Sequence, residues 1–352
     1  MVYWGQIVVG PPGCGKTTYC HGVSQFMQQM GRPCAIVNLD FANEQSREGM
    51  YECAIDVRDL VSLERVMEEY ELGPNGGLMY CMEYLLEHSE WLLDKLRDFD
   101  SKYIIFDCPG QVELYTHHTA VQDIIKLLQK ELDFRLCSVH LVDSFYCCDP
   151  ATFISAVLNV ACTMLRLCLP HVNILTKIDL LPMYGPLPFT LDFFTEMTNL
   201  MPLIRYIDNP GGIATEEELL RDDQNNDSDE ASVDDAPQSN EKKKRSKISK
   251  MSEELCDVLN DYGLVSFLPL NIQDAATLGR ILIAIDNANG YRFAATESLE
   301  HRKRQQNKNH DNDNDNETNS EQESLRHMFQ VASKDLESTY ERSLEIMEKY
   351  KN

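Results

Sequence analysis

The run "GPPGCGKTT", positions 10–18, carries the strongest chemical signal in the chain. From Gly10 to Thr17 it fits G-x-x-x-x-G-K-T, and it separates an apolar run from an amphipathic one, as a strand-to-helix loop would. Such a loop turns backbone N–H groups inward on a row of phosphates, and the helix N-terminus adds positive potential. The candidate phosphate-binding residues are therefore Gly10, Pro11, Gly13, Cys14, Gly15, Lys16, Thr17 and Thr18. Lys16 would reach the β- and γ-phosphates, and the Thr17 hydroxyl would ligate Mg²⁺. A plain glycine-rich turn would leave this lysine unexplained. Cys14 reads as a buried structural thiol in preference to a reactive one.

Three further stretches supply acids and amides. In "IIFDCPGQVE", Asp107 ends an apolar strand, where a second carboxylate would hold the Mg²⁺ through water. The Gly110 N–H could then sense a γ-phosphate, Gln111 could orient a water and Glu113 could assist it. An exposed polar turn is the bland alternative for the last two. In "NLDFANE", Asp40 follows the second apolar strand, which we expect beside the P-loop strand; there it could hold a water near the γ-phosphate. Arg58, between Asp56 and Asp59, reads as a salt-bridge partner before a phosphate ligand. In "NILTKIDLL", Asp179 could accept hydrogen bonds from the N1–H and the exocyclic amine of guanine, donors that adenine lacks in that place. The stem of Lys177 can lie across the purine ring. Thr176 stands where an Asn usually opens this motif. Leu270 and Asn271 could add backbone groups at the base.

These residues need a scaffold. Up to about residue 206, short apolar runs alternate with longer amphipathic ones. We expect strands in "WGQIVVG", "PCAIVNLD", "KYIIFDCPG", "RLCSVHLVD" and "HVNILTKID", with helices over Lys16–Met30, Leu60–Tyr70, Leu78–Phe99, Leu114–Leu132 and Pro150–Leu167. A helix, a strand over Leu264–Leu268 and a last helix would complete the sheet. Buried strands rich in Val and Ile, separated by helices, predict an α/β fold: a mostly parallel sheet with helices on both faces.

Composition narrows the rest. Of 352 residues, 43% are hydrophobic, enough for a large core, and the net charge of −25 argues against a general DNA or RNA binder. No apolar run is expected to reach the ~18 residues needed to span a bilayer, and no signal peptide is expected. The 12 cysteines contain no C-x-x-C pair, which fits buried thiols in a reducing compartment. Residues 221–247 are acidic, then basic, and almost free of apolar side chains, so we expect a disordered insertion. Its "KKKRSK" run reads either as a nuclear import signal or as solvated linker. Residues 294–323 read as a second disordered linker, and 324–352 as a C-terminal helical segment with apolar residues at helical spacing.

Taken together, "GPPGCGKTT", "LGPNGGLMY", "FDCPGQVELYTHH" and "TKID" resemble the GPN-loop GTPases, and "DCPGQVELYTHH" is most like the second of the three eukaryotic paralogues. The resemblance covers about residues 3–293, the expected GTPase domain, apart from the insertion. It implies a P-loop NTPase of the signal-recognition-like (SIMIBI) class that binds GTP and Mg²⁺. It implies a homodimer or a heterodimer with a sibling GPN-loop GTPase. Gly73–Asn75 would reach across into the partner's site, making Asn75 catalytic beside Asp40, Gln111 and Glu113. It also implies a cytoplasmic protein, with shuttling to the nucleus, that serves assembly and import of RNA polymerase II and related polymerases through their subunits or assembly factors. The chain departs from the expected "NLDPAN" at Phe41. Read on its own, "ELGPNGGLMY" is a helix–helix connector with Asn75 capping the helix that follows. Two functions compete: a GTPase switch, or a scaffold that binds GTP structurally with little turnover. A small-molecule kinase is disfavoured by Asp179.

Overall fold

The computed structural model describes residues 2–43, 53–99, 103–197, 199–208, 254–259 and 265–291. The insertion at 221–247 with its basic run, the linker 294–323 and the segment 324–352 lie outside them, as does Leu264.

Seven strands form one sheet: β1 (Tyr3–Val9), β2 (Cys34–Asn38), β3 (Cys53–Asp56), β4 (Tyr103–Asp107), β5 (Phe134–Asp143), β6 (His171–Thr176) and β7 (Phe267–Pro269). The order is β3-β2-β4-β1-β5-β6-β7, and every pairing is parallel. Parallel strands need crossovers that cover both faces, which is why these strands are apolar on both sides. On β1, Ile7 and Val9 face one cluster, and Val8 faces the other. The Ile7 side is covered by α2 (Leu63–Glu69), α3 (Pro74–Glu87), α4 (Ser89–Arg97), α5 (Glu113–Thr116) and α6 (Ala120–Leu132). Further along the sheet, α7 (Pro150–Leu167), α9 (Leu191–Glu196), α10 (Met201–Asp208) and α11 (254–259) enclose a third cluster. The short α8 (Leu181–Tyr184) follows β6. The opposite face carries α1 (Lys16–Gln29) and α12 (Ala275–Ala288). Arg32, just after α1, grips Asp286 of α12 with two hydrogen bonds of 2.7 and 2.9 Å, and its guanidinium lies 3.9 Å from the Tyr291 ring centroid. This contact fastens the end of the described chain to its beginning.

Several expectations need correction. β2 does not neighbour β1, because β4 is inserted between them. The strand β3 was not anticipated; four residues are too few to show an alternation. The expected helix Leu78–Phe99 is two helices broken at His88 (ψ 32°). The expected Leu114–Leu132 is likewise α5 and α6, separated at residues 117–119. β7 is shorter than expected and starts at Phe267. Helix α7 is long and apolar enough, by length and composition, to cross a membrane, against the expectation of no such run. Here it is a core helix: Phe153, Ile154, Val157, Val160 and Leu167 are buried against the sheet and its neighbours.

The stretch "ELGPNGGLMY" changes most. Gly73 is the N-cap of α3, Pro74 is its first residue and Asn75 its second, so Asn75 does not cap the helix. Proline suits that place, since its missing N–H would have had no intrahelical acceptor. The two glycines that follow are helical, and a Cβ on Gly77 would come within 2.9 Å of Leu63 and Met67, so α2 and α3 pack closely there. The Asn75 side chain is left exposed in the first turn.

Candidate nucleotide site

The C-terminal ends of β1, β4, β2, β5 and β6 bring the candidate residues to one edge of the sheet, where open parallel sheets place their ligands. Gly10 leaves β1 with φ 146°, and a Cβ on it would meet the Leu141 carbonyl at 2.4 Å. Gly15, in the left-handed region at φ 95°, caps α1 without a side-chain hydrogen bond. The N–H groups of Lys16, Thr17 and Thr18 are therefore first-turn donors with no intrahelical acceptor. Lys16 is buried, with its ammonium donating to the carbonyls of Gly10 (3.1 Å) and Pro11 (3.2 Å). Across the loop sits Gly110, where a Cβ would lie 3.0 Å from Lys16 Nζ and 3.1 Å from Pro12 Cα. Only a residue without a side chain can bring that N–H so close to the P-loop. Cys14 is buried in the loop, and burial pushes its thiol up to about 11, so it is structural rather than reactive.

Asp107 is fully buried at the end of β4. Its Oδ2 accepts a hydrogen bond of 3.2 Å from the carboxamide of Asn43, which also stands 3.5 Å from Thr17 Oγ1. Asp40 lies beyond β2, half-buried, with its carboxylate accepting the Ala42 N–H at 2.9 Å. Burial raises its pKa; the Ala42 amide and the charges of Lys16 and Arg58 oppose that. The charge of Lys16 thus acts on Asp40 although its strand is not next to the P-loop strand. Phe41, in place of the expected proline, is 1% exposed in the core, so packing rather than a ring fixes the turn. Arg58 pairs with Asp56, as expected of a salt bridge. Burial alone would raise Asp56, but the Arg58 contacts hold its carboxyl below the usual range. Gln111 stands beside Gly110, with its side-chain oxygen buried and lacking a protein hydrogen-bond partner. A buried acceptor of this kind calls for a water or a ligand. Glu113 opens α5 and is exposed.

At the base end, the Thr176 hydroxyl is 2.8 Å from the Cys14 carbonyl, so it braces the P-loop. Lys177 adopts φ 60°, and its ammonium donates to Gly13 O (2.7 Å) and Asp143 Oδ2 (2.6 Å). Burial works against the charge on Lys177, but Asp143 raises its pKa and keeps it protonated. Asp179 sits exposed on a single turn of 3₁₀ helix. The backbone of Leu270 is already engaged, accepting from Ile178 N and donating to Leu175 O, and Asn271 O accepts from Thr277 and Asp274. These groups hold the loop rather than offer themselves to a base. Among the described residues no hydrogen bond ties the Asn75 side chain to the site. Asn43, Asn38 and Asp143 were missed. Asp143 had a signal: an acid ending an apolar strand, as at Asp107.

Comparison with known proteins bears on this arrangement. Residues 8–291 match the model of a family described as "Conserved hypothetical ATP binding protein". GPN-loop GTPase 2 of Danio rerio is 44% identical over 295 residues, covering 84% of this chain and 83% of that protein. GPN-loop GTPase 2 of Schizosaccharomyces pombe is 43% identical over 292 residues, covering 83% and 82%. The chain belongs to the GPN-loop GTPases. The family description and the relatives' names differ on the nucleotide. A GTPase from Pyrococcus abyssi, solved in its apo form, shares the fold, with a TM-score of 0.55 and 21% identity over 81% of this chain and 97% of that one.

Proposed function

We propose that this GPN-loop GTPase binds GTP with Mg²⁺ and hydrolyses it. The observation that carries the reading is the Gly110–Gln111 turn. Gly110 lies so near the P-loop lysine that a Cβ on it would come within 3.0 Å of the ammonium, and Gln111 next to it holds a buried acceptor with no protein partner, where an attacking water would be oriented. Lys16, the first-turn N–H groups of α1 and the Gly110 N–H stabilise charge on the phosphoryl oxygens. Asp40, its proton affinity raised by burial, is suited to hold the water's proton, with Glu113 as a second, exposed acid. Thr17 and Asp107 present a hydroxyl and a carboxylate at one point, both facing the Nδ2 of Asn43, and these two oxygen groups are suited to a hard cation. Among the described residues no group of three or more His, Cys, Asp and Glu is placed to hold a metal ion; on this reading Thr17 and Asp107 would hold it together with nucleotide oxygens. Bound Mg²⁺ would neutralise charge on the β- and γ-phosphates.

The resemblance adds a dimer, with itself or a sibling, and service to the assembly and nuclear import of RNA polymerase II. An exposed Asn75 at the start of α3, free to meet another subunit, supports the dimer. Gln111→Ala should lower GTP turnover by about a hundredfold, with the GTP dissociation constant nearly unchanged. Unchanged hydrolysis would leave a GTP-bound scaffold as the reading. Turnover per molecule should rise with protein concentration, and Asn75→Ala should remove that rise while the monomer still folds and binds GTP.

A further inference from the structure

Asn43 has no role in the reading above, yet its hydrogen bonds reach several residues of the site. It is 7% exposed and lies on neither the P-loop nor β4. Its Nδ2 is 3.2 Å from Asp107 Oδ2, 3.5 Å from Thr17 Oγ1 and 3.5 Å from Asn38 Oδ1. Its backbone N–H donates to the Asp40 carbonyl at 3.2 Å, and its own carbonyl accepts from Arg58 Nη1 at 2.5 Å. Asn38 closes the circuit. Its amide donates to Asp56 Oδ1 and to Asp40 O, both at 3.1 Å, while its Oδ1 accepts the Asp40 N–H at 3.1 Å. Arg58, gripping Asp56, holds the far side.

We propose that Asn43 is the positioning residue of the metal centre: its carboxamide orients the Thr17 hydroxyl and the Asp107 carboxylate, and its backbone ties them to the Asp40 turn. The inference rests on the Mg²⁺-dependent GTPase reading and deepens it. Three physical points support it. A buried carboxylate needs donors to stay aimed, and an amide supplies them without a charge to compete with a cation. A carboxamide does not titrate, so this support is constant across the physiological pH range. And the hydrogen bonds of Asn43 and Asn38 run in a closed loop through Arg58 and Asp56, so displacing the Asn43 amide disturbs Asp40 as well as Asp107.

The test is a Mg²⁺ titration of GDP binding to the full chain, with a parallel measurement in EDTA. In Asn43→Ala, the Mg²⁺ concentration giving half-maximal tightening should rise about tenfold or more. GDP affinity in EDTA should stay within about twofold of the parent. A titration midpoint unmoved in Asn43→Ala, or an equal loss of affinity in EDTA and in Mg²⁺, overturns the proposal, since Asn43 would then be a structural residue only. Asn43→Asp, nearly isosteric, guards against a folding defect. It removes the Nδ2 donor without emptying the site, so its Mg²⁺ midpoint should also move from the parent's while GDP affinity in EDTA stays close to the parent's. An unmoved midpoint in that variant would also count against the role. If the parent itself shows no Mg²⁺-dependent GDP binding, the GTPase reading fails together with the inference. If only the variants behave like the parent, the inference fails alone.

Discussion

At the phosphate end of the site, Lys16 is held by two carbonyls, Gly110 closes over it, and Asn43 gathers Thr17 and Asp107. At the base end, Lys177 is anchored to Asp143 and Gly13, but Asp179 beside it is exposed. The phosphate end is therefore held by backbone and by side chains that support one another, and dipoles fixed in this way need little reorganisation when charge is delivered. On the proposed reading, the base end depends on a single carboxylate whose surroundings a purine would complete. This division suits the ligand. Phosphates are common to all nucleotides and can be met by many shared donors, whereas guanine is told from adenine by two hydrogens that one acid can read.

The contrast predicts two different kinds of damage. The largest effect belongs to Lys16→Ala. It removes a buried ammonium and its charge-assisted hydrogen bonds, so affinity for GTP should fall about a hundredfold or more. Any residual binding of ATP should fall by the same factor, because the group lost does not see the base. Calorimetry with both nucleotides would check this, and an unequal loss would break the separation of the two ends. Asp179→Ala should be smaller and selective. GTP binding should weaken by roughly ten- to a hundredfold, with ATP binding unchanged, since bonds to a charged group contribute ~1.5–3 kcal/mol. The parent should prefer GTP strongly; equal affinities in the parent would mean that the exposed carboxylate does not read the base.

The two ends also differed in how legible they were. The P-loop could be read from spacing alone, because glycine, lysine and threonine act there through local backbone geometry. Thr176 could be placed but not understood: its bond to the Cys14 carbonyl joins residues 162 positions apart. Asp40 was chosen for the wrong reason, since nothing local announces that β4 enters the sheet between β1 and β2. Asn43 was passed over because a neutral amide carries no signal until its neighbours are known. The start of α3 was legible and misread. Proline after glycine marks a first helical residue, which makes Gly73 the cap and leaves Asn75 exposed in the first turn.

Besides Gln111, a second group near the phosphate end has polar atoms without partners, and it predicts the smallest effect. His140, on β5 beside the P-loop strand, is 2% exposed, and neither ring nitrogen has a protein hydrogen-bond partner. It lines a cavity of about 400 Å³ with Pro11, Val112 and the first half of α7. Burial, then the nearby His171 and the charge on Lys16, push its pKa down to about 3. Burial lowers His171 likewise, to about 4. An unfolded chain would protonate both near pH 6.5, so between that pH and about 4 the unfolded state binds more protons than the folded one. Stability must then fall as the pH falls through this window, by at most ~1.4 kcal/mol per pH unit for each imidazole. In His140→Leu, the melting temperature should drop less between pH 7 and pH 5 than it does in the parent. Because Val112 and Pro11 share the cavity with this ring, acid should also weaken binding of the phosphates before it alters the preference for GTP over ATP. A preference that collapses first would place the weak point at Asp179 and reverse the order drawn here between the two ends.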